Sequence, residues 1–341
     1  SHWESPSNIA LVKYWGKSDI QIPKNTSISF TLNKCLTNTK LDFSKKKNNS
    51  EFVDFDIYFN EQLKLDFKPK IQSFFERILK YCPYILSYKF KINTSNTFPH
   101  SSGIASSASG ISALALCIMS LEKLINPKIS DDYFYMKASF LSRLGSGSAC
   151  RSLKGSVNLW GTHSSFNTSS NLYSIEFPYK VHDIFNTYHD AVLLVDKGIK
   201  TVSSTVGHNL MNNHPFADKR FQIAQNNIDK LSAILKNGDT NEFVKLVEDE
   251  ALMLHGLMMT SDPSYILIKS KTLQIIDSIR EFRSKNNIPV CFTLDAGANV
   301  HVLFPDRYSD RVYDFIERNL KIHCENNSYI RDCVGFGAKQ L

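Results

Sequence analysis

Five short stretches of this 341-residue chain gather groups that can hold anions or move protons. The longest is Pro99-His100-Ser101-Ser102-Gly103-Ile104-Ala105-Ser106-Ser107-Ala108-Ser109-Gly110, which runs into apolar helical spacing over 111–125. Small and hydroxylated residues let a polyanion approach the backbone. The first turn of a helix adds unpaired N–H groups at the positive end of its dipole. The stretch is therefore either a phosphate cradle or a capped surface helix with a small-residue packing face. Near the start, Ser7-Asn8-Ile9-Ala10-Leu11-Val12-Lys13-Tyr14-Trp15-Gly16-Lys17 begins like a strand, then sets two lysines and two aromatics within five positions. Each ammonium is a compact point charge suited to phosphate or carboxylate; the alternative is a solvated lysine pair beside a buried aromatic. In Gly145-Ser146-Gly147-Ser148-Ala149-Cys150-Arg151-Ser152, an arginine after a small-residue loop can grip an anion with its planar fork, or can be structural after a helix stop. Asp295, in Thr293-Leu294-Asp295-Ala296-Gly297-Ala298-Asn299, ends an apolar strand, where an unpaired carboxylate is costly. An Asx-turn is the simpler reading, and a functional one requires a cation such as Lys13 beside it. Finally, Lys200-Thr201-Val202-Ser203-Ser204-Thr205-Val206-Gly207 can cap a helix or touch a substrate oxygen, with capping the simpler role.

Alternation predicts strands over 28–32, 52–59, 88–93, 155–160 and 172–177. Helical spacing covers 71–81, stopped by Pro83. A second helix is capped by Ser130 and runs to about Leu144, with Gly145 ending it. Residues 163–171 read as a loop. The second half opens with an apolar strand at 191–195. Apolar residues three and four apart predict helices over 217–235, 240–257 and 269–284. Strands 289–295 and 300–304 flank Ala296–Asn299, and 307–320 is a last helix. Helices come in runs rather than in strict alternation with strands, which gives an α+β class. The division into domains is placed near residue 180, and no internal repeat is present.

With 42% hydrophobic and 21% charged residues, the chain can bury a substantial core. No apolar run is expected to approach the roughly 20 residues that span a bilayer; 106–121 comes closest, interrupted by serines. The start, Ser1-His2-Trp3-Glu4, lacks a basic n-region, so no signal peptide is expected. Seven scattered cysteines without a Cys-x-x-Cys argue against a disulfide framework or thiolate metal site. A reducing, cytoplasmic setting fits best. A net charge of +7 suits acidic ligands. Lys45-Lys46-Lys47-Asn48-Asn49 reads as a solvated run, and without clustered bases on one face no nucleic-acid partner is expected.

Taken together, these motifs resemble the mevalonate diphosphate decarboxylases of the GHMP small-molecule kinase superfamily. The family's N-I-A-x-x-K-Y-W-G-K corresponds to Asn8–Lys17, and its P-x-N-x-S-I-S-x-T-L to Pro23–Leu32. F-P-x-x-x-G-L-A-S-S-A corresponds to Phe98–Ala108 with Ile104 for leucine, and G-S-G-S-A-C-R-S to Gly145–Ser152 without change. S-T-x-G-M corresponds to Ser204–His208 except for the last residue, and T-x-D-A-G-P-N to Thr293–Asn299 except for Ala298. The motifs keep family order over nearly the whole chain; 214–286 contributes little.

The resemblance implies two lobes: 1–180 like domain 2 of ribosomal protein S5, and 181–341 ferredoxin-like, with the site between. It implies ATP-dependent decarboxylation of mevalonate 5-diphosphate to isopentenyl diphosphate through phosphorylation of the 3-hydroxyl, with magnesium accompanying ATP, and a homodimer. Asp295 is then the base or orienting group and Lys13 its electrostatic partner, which favours the charged carboxylate. Arg151 holds the substrate carboxylate. Tyr14, Lys17, Ser146 and Ser148 form the diphosphate-binding set, and Ser204 lies near the reacting centre. Gly103, Ser106 and Ser107 lie on the ATP phosphate loop, and Asn96 contacts the nucleotide. No metal ligand is assigned. Ser18 replaces a common arginine and Lys154 a frequent aromatic, and both bear on the diphosphate end. His100-Ser101-Ser102 and His208 (for methionine) are subgroup variation. The rival readings are an enzyme acting on the 5-monophosphate, a kinase that stops at the 3-phosphate, and a silent scaffold. Retention of Lys13, Arg151 and Asp295 argues against the last two.

Overall fold

Burial on both faces places the first strand, β1 (His2–Ala10), deep in the molecule. The computed structural model describes residues 1–48, 50–99, 104–196 and 204–341. β1 pairs antiparallel with the 19-residue β4 (Ser27–Lys45), across a register shift between Pro6 and Asn8. Between them lies a short ribbon, β2 (Lys17–Ser18) with β3 (Ile22–Pro23). The second half of β4 pairs antiparallel with β7 (Tyr88–Asn96), which pairs parallel with β5 (Asp54–Phe59); β6 (Gln62–Leu63) closes that edge. The start of β4 pairs with β8 (Val157–Trp160), and β8 with β9 (Ser174–Glu176).

Three helices cover this sheet. α1 (Lys68–Ile78) buries Ile71, Phe74, Phe75 and Ile78, one helical face. α3 (Asp131–Gly145) starts at Ser130, whose hydroxyl accepts the Tyr133 N–H at 3.2 Å, with Asp131 and Asp132 favourably placed in the first turn. Between them, α2 (Ser106–Ile125) packs on β1, β4 and α3. Small residues permit the close approach, and hydroxyl pairs seal it: Ser112 with Ser5 at 2.5 Å, Ser109 with Thr37 at 2.6 Å. The expectation that no segment is long and apolar enough to span a bilayer is corrected here. α2 meets that test, but 67% of its apolar window is buried inside the protein. Ser109, Ser112 and Ser120 bond to the sheet, so these interruptions are packing features.

Four strands form the second sheet, in the order β11 (Cys291–Leu294), β12 (Val300–Phe304), β10 (His189–Leu193), β13 (Tyr329–Cys333), all antiparallel. The short α4 (Asp183–Asn186) and α5 (Ser204–Asn209) flank β10 in the chain. α6 (Ala217–Asn237) and α7 (Thr240–Met259) share a core with β4, β8 and the second sheet, including Phe30, Leu159, Val192, Leu231 and Phe243. α8 (Ser270–Asn286) and α9 (Ser309–Phe315) bury a separate core that contains Ile275, Phe292, Val302 and Phe315. The last strand, β14 (Lys339–Gln340), returns to pair with β1. The segment read as one helix over 307–320 instead runs through a 3₁₀ turn, α9 and a π-type turn at Ile316–Leu320.

Candidate active site

Lys13 leaves the end of β1 after the fully buried Leu11 and Val12, and is itself 2% exposed. Its backbone is fixed from three sides. The N–H donates to Glu250 Oε2 at 2.9 Å, while the carbonyl accepts from Arg220 Nη2 and Asn25 Nδ2, both at 3.0 Å. Arg220 and Glu250 are themselves paired at 2.6 and 2.8 Å, and Asn227 Nδ2 donates to the second carboxylate oxygen at 2.7 Å. A buried ion pair tied by several charge-assisted hydrogen bonds is a rigid object, and here it holds the main chain of one lysine.

The Lys13 ammonium stands 3.2 Å from Asp295 Oδ1, meeting the condition that the sequence set for a functional aspartate. Burial pushes the Lys13 pKa down; Asp295 and Glu250 oppose that and Arg151 adds to it. Asp295 follows β11, with its side chain about 30% exposed. Its carbonyl accepts from Gly297 N–H at 2.7 Å and from His255 Nε2 at 3.1 Å. Burial lowers the His255 pKa to about 4, so the ring is neutral near pH 7 and carries its proton on Nε2.

Arg151 lies in the turn Gly147–Ser152, buried, with its guanidinium 5.9 Å from the Trp160 ring and Nη1 donating to Ser27 Oγ at 2.5 Å. Its Nε finds no hydrogen-bond partner among the described residues. A buried, incompletely satisfied guanidinium is costly unless an anion completes it. Ser146 and Ser148 line the same cleft, and Asn8 holds their loop by donating to Ser148 O at 3.1 Å. Tyr14 packs edge-on to Trp160 at 4.7 Å between ring centres, and its hydroxyl has no partner among the described residues. A Cβ at Gly147 would meet that hydroxyl and Trp160 at 2.9 Å, so only glycine fits there. Lys17 donates to Gln21 Oε1 at 3.3 Å, and burial together with Arg77 lowers its pKa.

These groups surround one cleft of about 280 Å³ between the two halves of the chain. Ser107, in the first turn of α2, lines it, beside Ala105 in a left-handed conformation at φ 32°. Ser106 sits in the same turn, its carbonyl accepting from Ser109 Oγ at 3.3 Å. α2 thus packs through Ser109 and Ser112, while Ser107 faces the cleft. Asn96 stands apart from the cleft: its Oδ1 accepts from Thr37 Oγ1 at 2.8 Å within the sheet. Gly103 lies outside the described residues. Ser204 begins α5, but its side chain is not among the described atoms. Lys70, His208 and Leu254 also line the cleft and were not read as site residues.

A two-lobed α+β fold whose cleft, lined by cationic and hydroxyl groups, holds a lysine–aspartate pair is that of the GHMP kinases. Residues 5–171 match the diphosphomevalonate decarboxylase-like N-terminal domain, and residues 191–336 the mevalonate 5-diphosphate decarboxylase C-terminal domain. The chain belongs to the diphosphomevalonate decarboxylase family. Its relatives include the Ganoderma lucidum diphosphomevalonate decarboxylase, 27% identical over 92% of this chain and 80% of that one. The Haloferax volcanii phosphomevalonate decarboxylase is 24% identical over 90% of this chain and 88% of that one. Among solved structures, mevalonate diphosphate decarboxylase from Staphylococcus aureus matches with a TM-score of 0.83 at 25% identity, covering 100% of this chain and 97% of that one. The complex of MDDEF with MVAPP, AMPPCP and magnesium matches with a TM-score of 0.84 at 26% identity, covering 100% and 98%.

Proposed function

We propose that this protein decarboxylates (R)-5-diphosphomevalonate to isopentenyl diphosphate at the expense of ATP, with ADP, phosphate and carbon dioxide as the other products. The observation that carries the reading is the 3.2 Å Lys13–Asp295 pair, held in a cleft that also contains the buried Arg151. ATP with magnesium, when bound, supplies the phosphoryl group that turns the 3-hydroxyl into a leaving group. The first turn of α2, with Ser107, has the hydroxyl and N–H groups to hold its phosphates. Among the described residues no cluster of three metal-ligating side chains exists.

A tertiary alcohol is too weak an acid to ionise in advance. Asp295 therefore accepts the hydroxyl proton as the new O–P bond forms, a contribution of ~10²–10⁴-fold. Lys13 keeps that carboxylate anionic and in place. In the second step the bond to the carboxylate carbon breaks, its electron pair forms the alkene, and the 3-phosphate departs. Carbon dioxide is neutral, so Arg151 must orient the carboxylate without over-stabilising its charge. Tyr14, Lys17, Ser146 and Ser148 face the phosphorylated arm, Ser204 is assigned near the reacting carbon, and Gly103, Ser106 and Asn96 are assigned to the nucleotide side.

Seven scattered cysteines without a Cys-x-x-Cys support a reducing compartment such as the cytoplasm. A homodimer is proposed from the family resemblance and is checked by sedimentation. The deciding assay offers the 5-diphosphate and the 5-monophosphate of mevalonate with magnesium and ATP. Carbon dioxide and isopentenyl diphosphate from the first support the reading. Product from the monophosphate alone, or a stable 3-phosphate without carbon dioxide, overturns it.

A further inference from the structure

His208 sits on the wall of the cleft, with the residue 7% exposed. Its ring packs at a tilt against Tyr14 at 4.3 Å and Trp15 at 4.7 Å between ring centres. The N–H of Gly16 donates to its Nδ1 at 3.0 Å. A ring nitrogen that accepts carries no proton, so in the neutral imidazole the hydrogen is on Nε2. Burial, with Lys17 and then Arg151 adding their charges, lowers the His208 pKa to about 3, and the ring is neutral at working pH. Among the described residues no hydrogen bond uses Nε2. Two aromatic faces and a backbone donor therefore fix an imidazole in one tautomer. The residue lines the cleft, and Lys17 is the stronger of its two cationic influences.

We infer that His208 is a substrate-binding residue, a neutral donor whose Nε2–H bonds a phosphate oxygen on the substrate's phosphorylated arm. A neutral donor suits this place. Lys17 already supplies charge, and an added cation beside Lys17 and Arg151 would raise the cost of the empty cleft. The inference rests on the proposed phosphorylated substrate and adds a recognition element to it.

Two variants separate the ligand from the scaffold. His208→Asn keeps an acceptor for Gly16 N–H but has nothing at the Nε2 position. His208→Met, the residue that the family motif carries, has neither. Both are expected to raise KM for the phosphorylated substrate roughly tenfold or more, as loss of a hydrogen bond to a charged group does, with kcat changed far less. The wild-type to His208→Asn ratio of KM should stay flat between about pH 5.5 and 8, because a neutral donor does not titrate there. A wild-type KM in His208→Asn overturns the inference, since the Gly16 contact would then be the whole role. A ratio that climbs toward one as pH rises also overturns it, because it would mean a charged imidazolium. A measurement on the unaltered protein covers the case in which a variant does not fold. In ¹⁵N-histidine-labelled enzyme titrated with inorganic pyrophosphate, the His208 Nε2–H resonance should shift while Nδ1 stays unprotonated, and an unmoved Nε2–H sinks the inference. If the wild type releases carbon dioxide from neither phosphorylated mevalonate, the proposed function fails separately, and the pyrophosphate titration still decides whether this donor meets phosphate.

Discussion

At the scale of single residues, Asp295 is the group without which the proposed chemistry has no proton acceptor. We expect Asp295→Asn to abolish measurable turnover while ATP and substrate binding stay within about tenfold, roughly 1.4 kcal/mol. Turnover near the wild-type rate, with binding measured by calorimetry, would remove Asp295 from that role. Gly147 is a steric requirement of the same site. In Gly147→Ala the new methyl group would lie 2.9 Å from the Tyr14 hydroxyl and the Trp160 ring. Tyr14 must move, so KM for the phosphorylated substrate should rise while nucleotide binding is spared; an unchanged KM would show that the Tyr14 position is irrelevant. The sequence exposed these residues unequally. Asp295 and Lys13 are 282 positions apart, and nothing local pairs them; the conditional reading was as far as the residues alone could go. His208 was passed over as variation because a histidine's role depends on which nitrogen is engaged, and only the fold brings Gly16 to it.

At the scale of elements, helices with a clean apolar stripe were legible, because burial of one face decides them. The length of β4 was not: its middle is polar, and Thr37 and Thr39 are buried only because Ser109, Asn96 and Thr94 meet their hydroxyls. β13 escaped notice for the same reason, since Arg331 and Asp332 break its apolar pattern. The Arg220–Glu250 clamp was also missed, although a signal existed. Arg220 and Asn227 fall on the stripe of α6 that carries Ala224 and Leu231, and Glu250 falls on that of α7 with Phe243, Val247 and Leu254. Charged residues on a buried stripe mark an internal pair. Glu250→Ala leaves a buried guanidinium uncompensated and should cost about 3–5 kcal/mol in urea unfolding, whereas removing the exposed Lys285–Glu281 pair should leave the unfolding midpoint nearly unchanged. Equal effects would mean that the clamp is not structural. On α7, His255 is held neutral, its pKa lowered to about 4 from 6.5. The unfolded chain therefore binds a proton between pH 6.5 and 4 that the folded one refuses. Wild-type stability should fall relative to His255→Gln as pH drops through that window, by at most about 1.4 kcal/mol per pH unit. Parallel pH profiles for the two proteins would contradict a neutral buried ring.

At the scale of the whole molecule, catalysis across a cleft requires the two halves to keep their register, and two features tie them together. One is the shared core of β4, β8, α6, α7 and the second sheet. The other is Asp332 on β13, whose carboxylate accepts the backbone N–H groups of Asn33, Lys34 and Cys35 at 2.9, 2.8 and 2.7 Å. These three N–H groups lie in the middle of β4, where they make no ladder bonds to a neighbouring strand. Asn33 and Lys34 are exposed and can turn to water, but Cys35 is fully buried. In Asp332→Ala one dry N–H therefore loses its acceptor, at a cost of about 1–3 kcal/mol. If the shared core couples the halves, the loss must appear in both. All three tryptophans, Trp3, Trp15 and Trp160, lie in the first half, while α6, α7 and α8 give the second half much of the helix signal. Tryptophan fluorescence and far-ultraviolet circular dichroism should therefore report one unfolding midpoint in the wild type. In Asp332→Ala both midpoints should move down together. Midpoints that separate in the wild type would mean that the halves unfold independently, and that Lys13 and Asp295 are not held together by one cooperative structure.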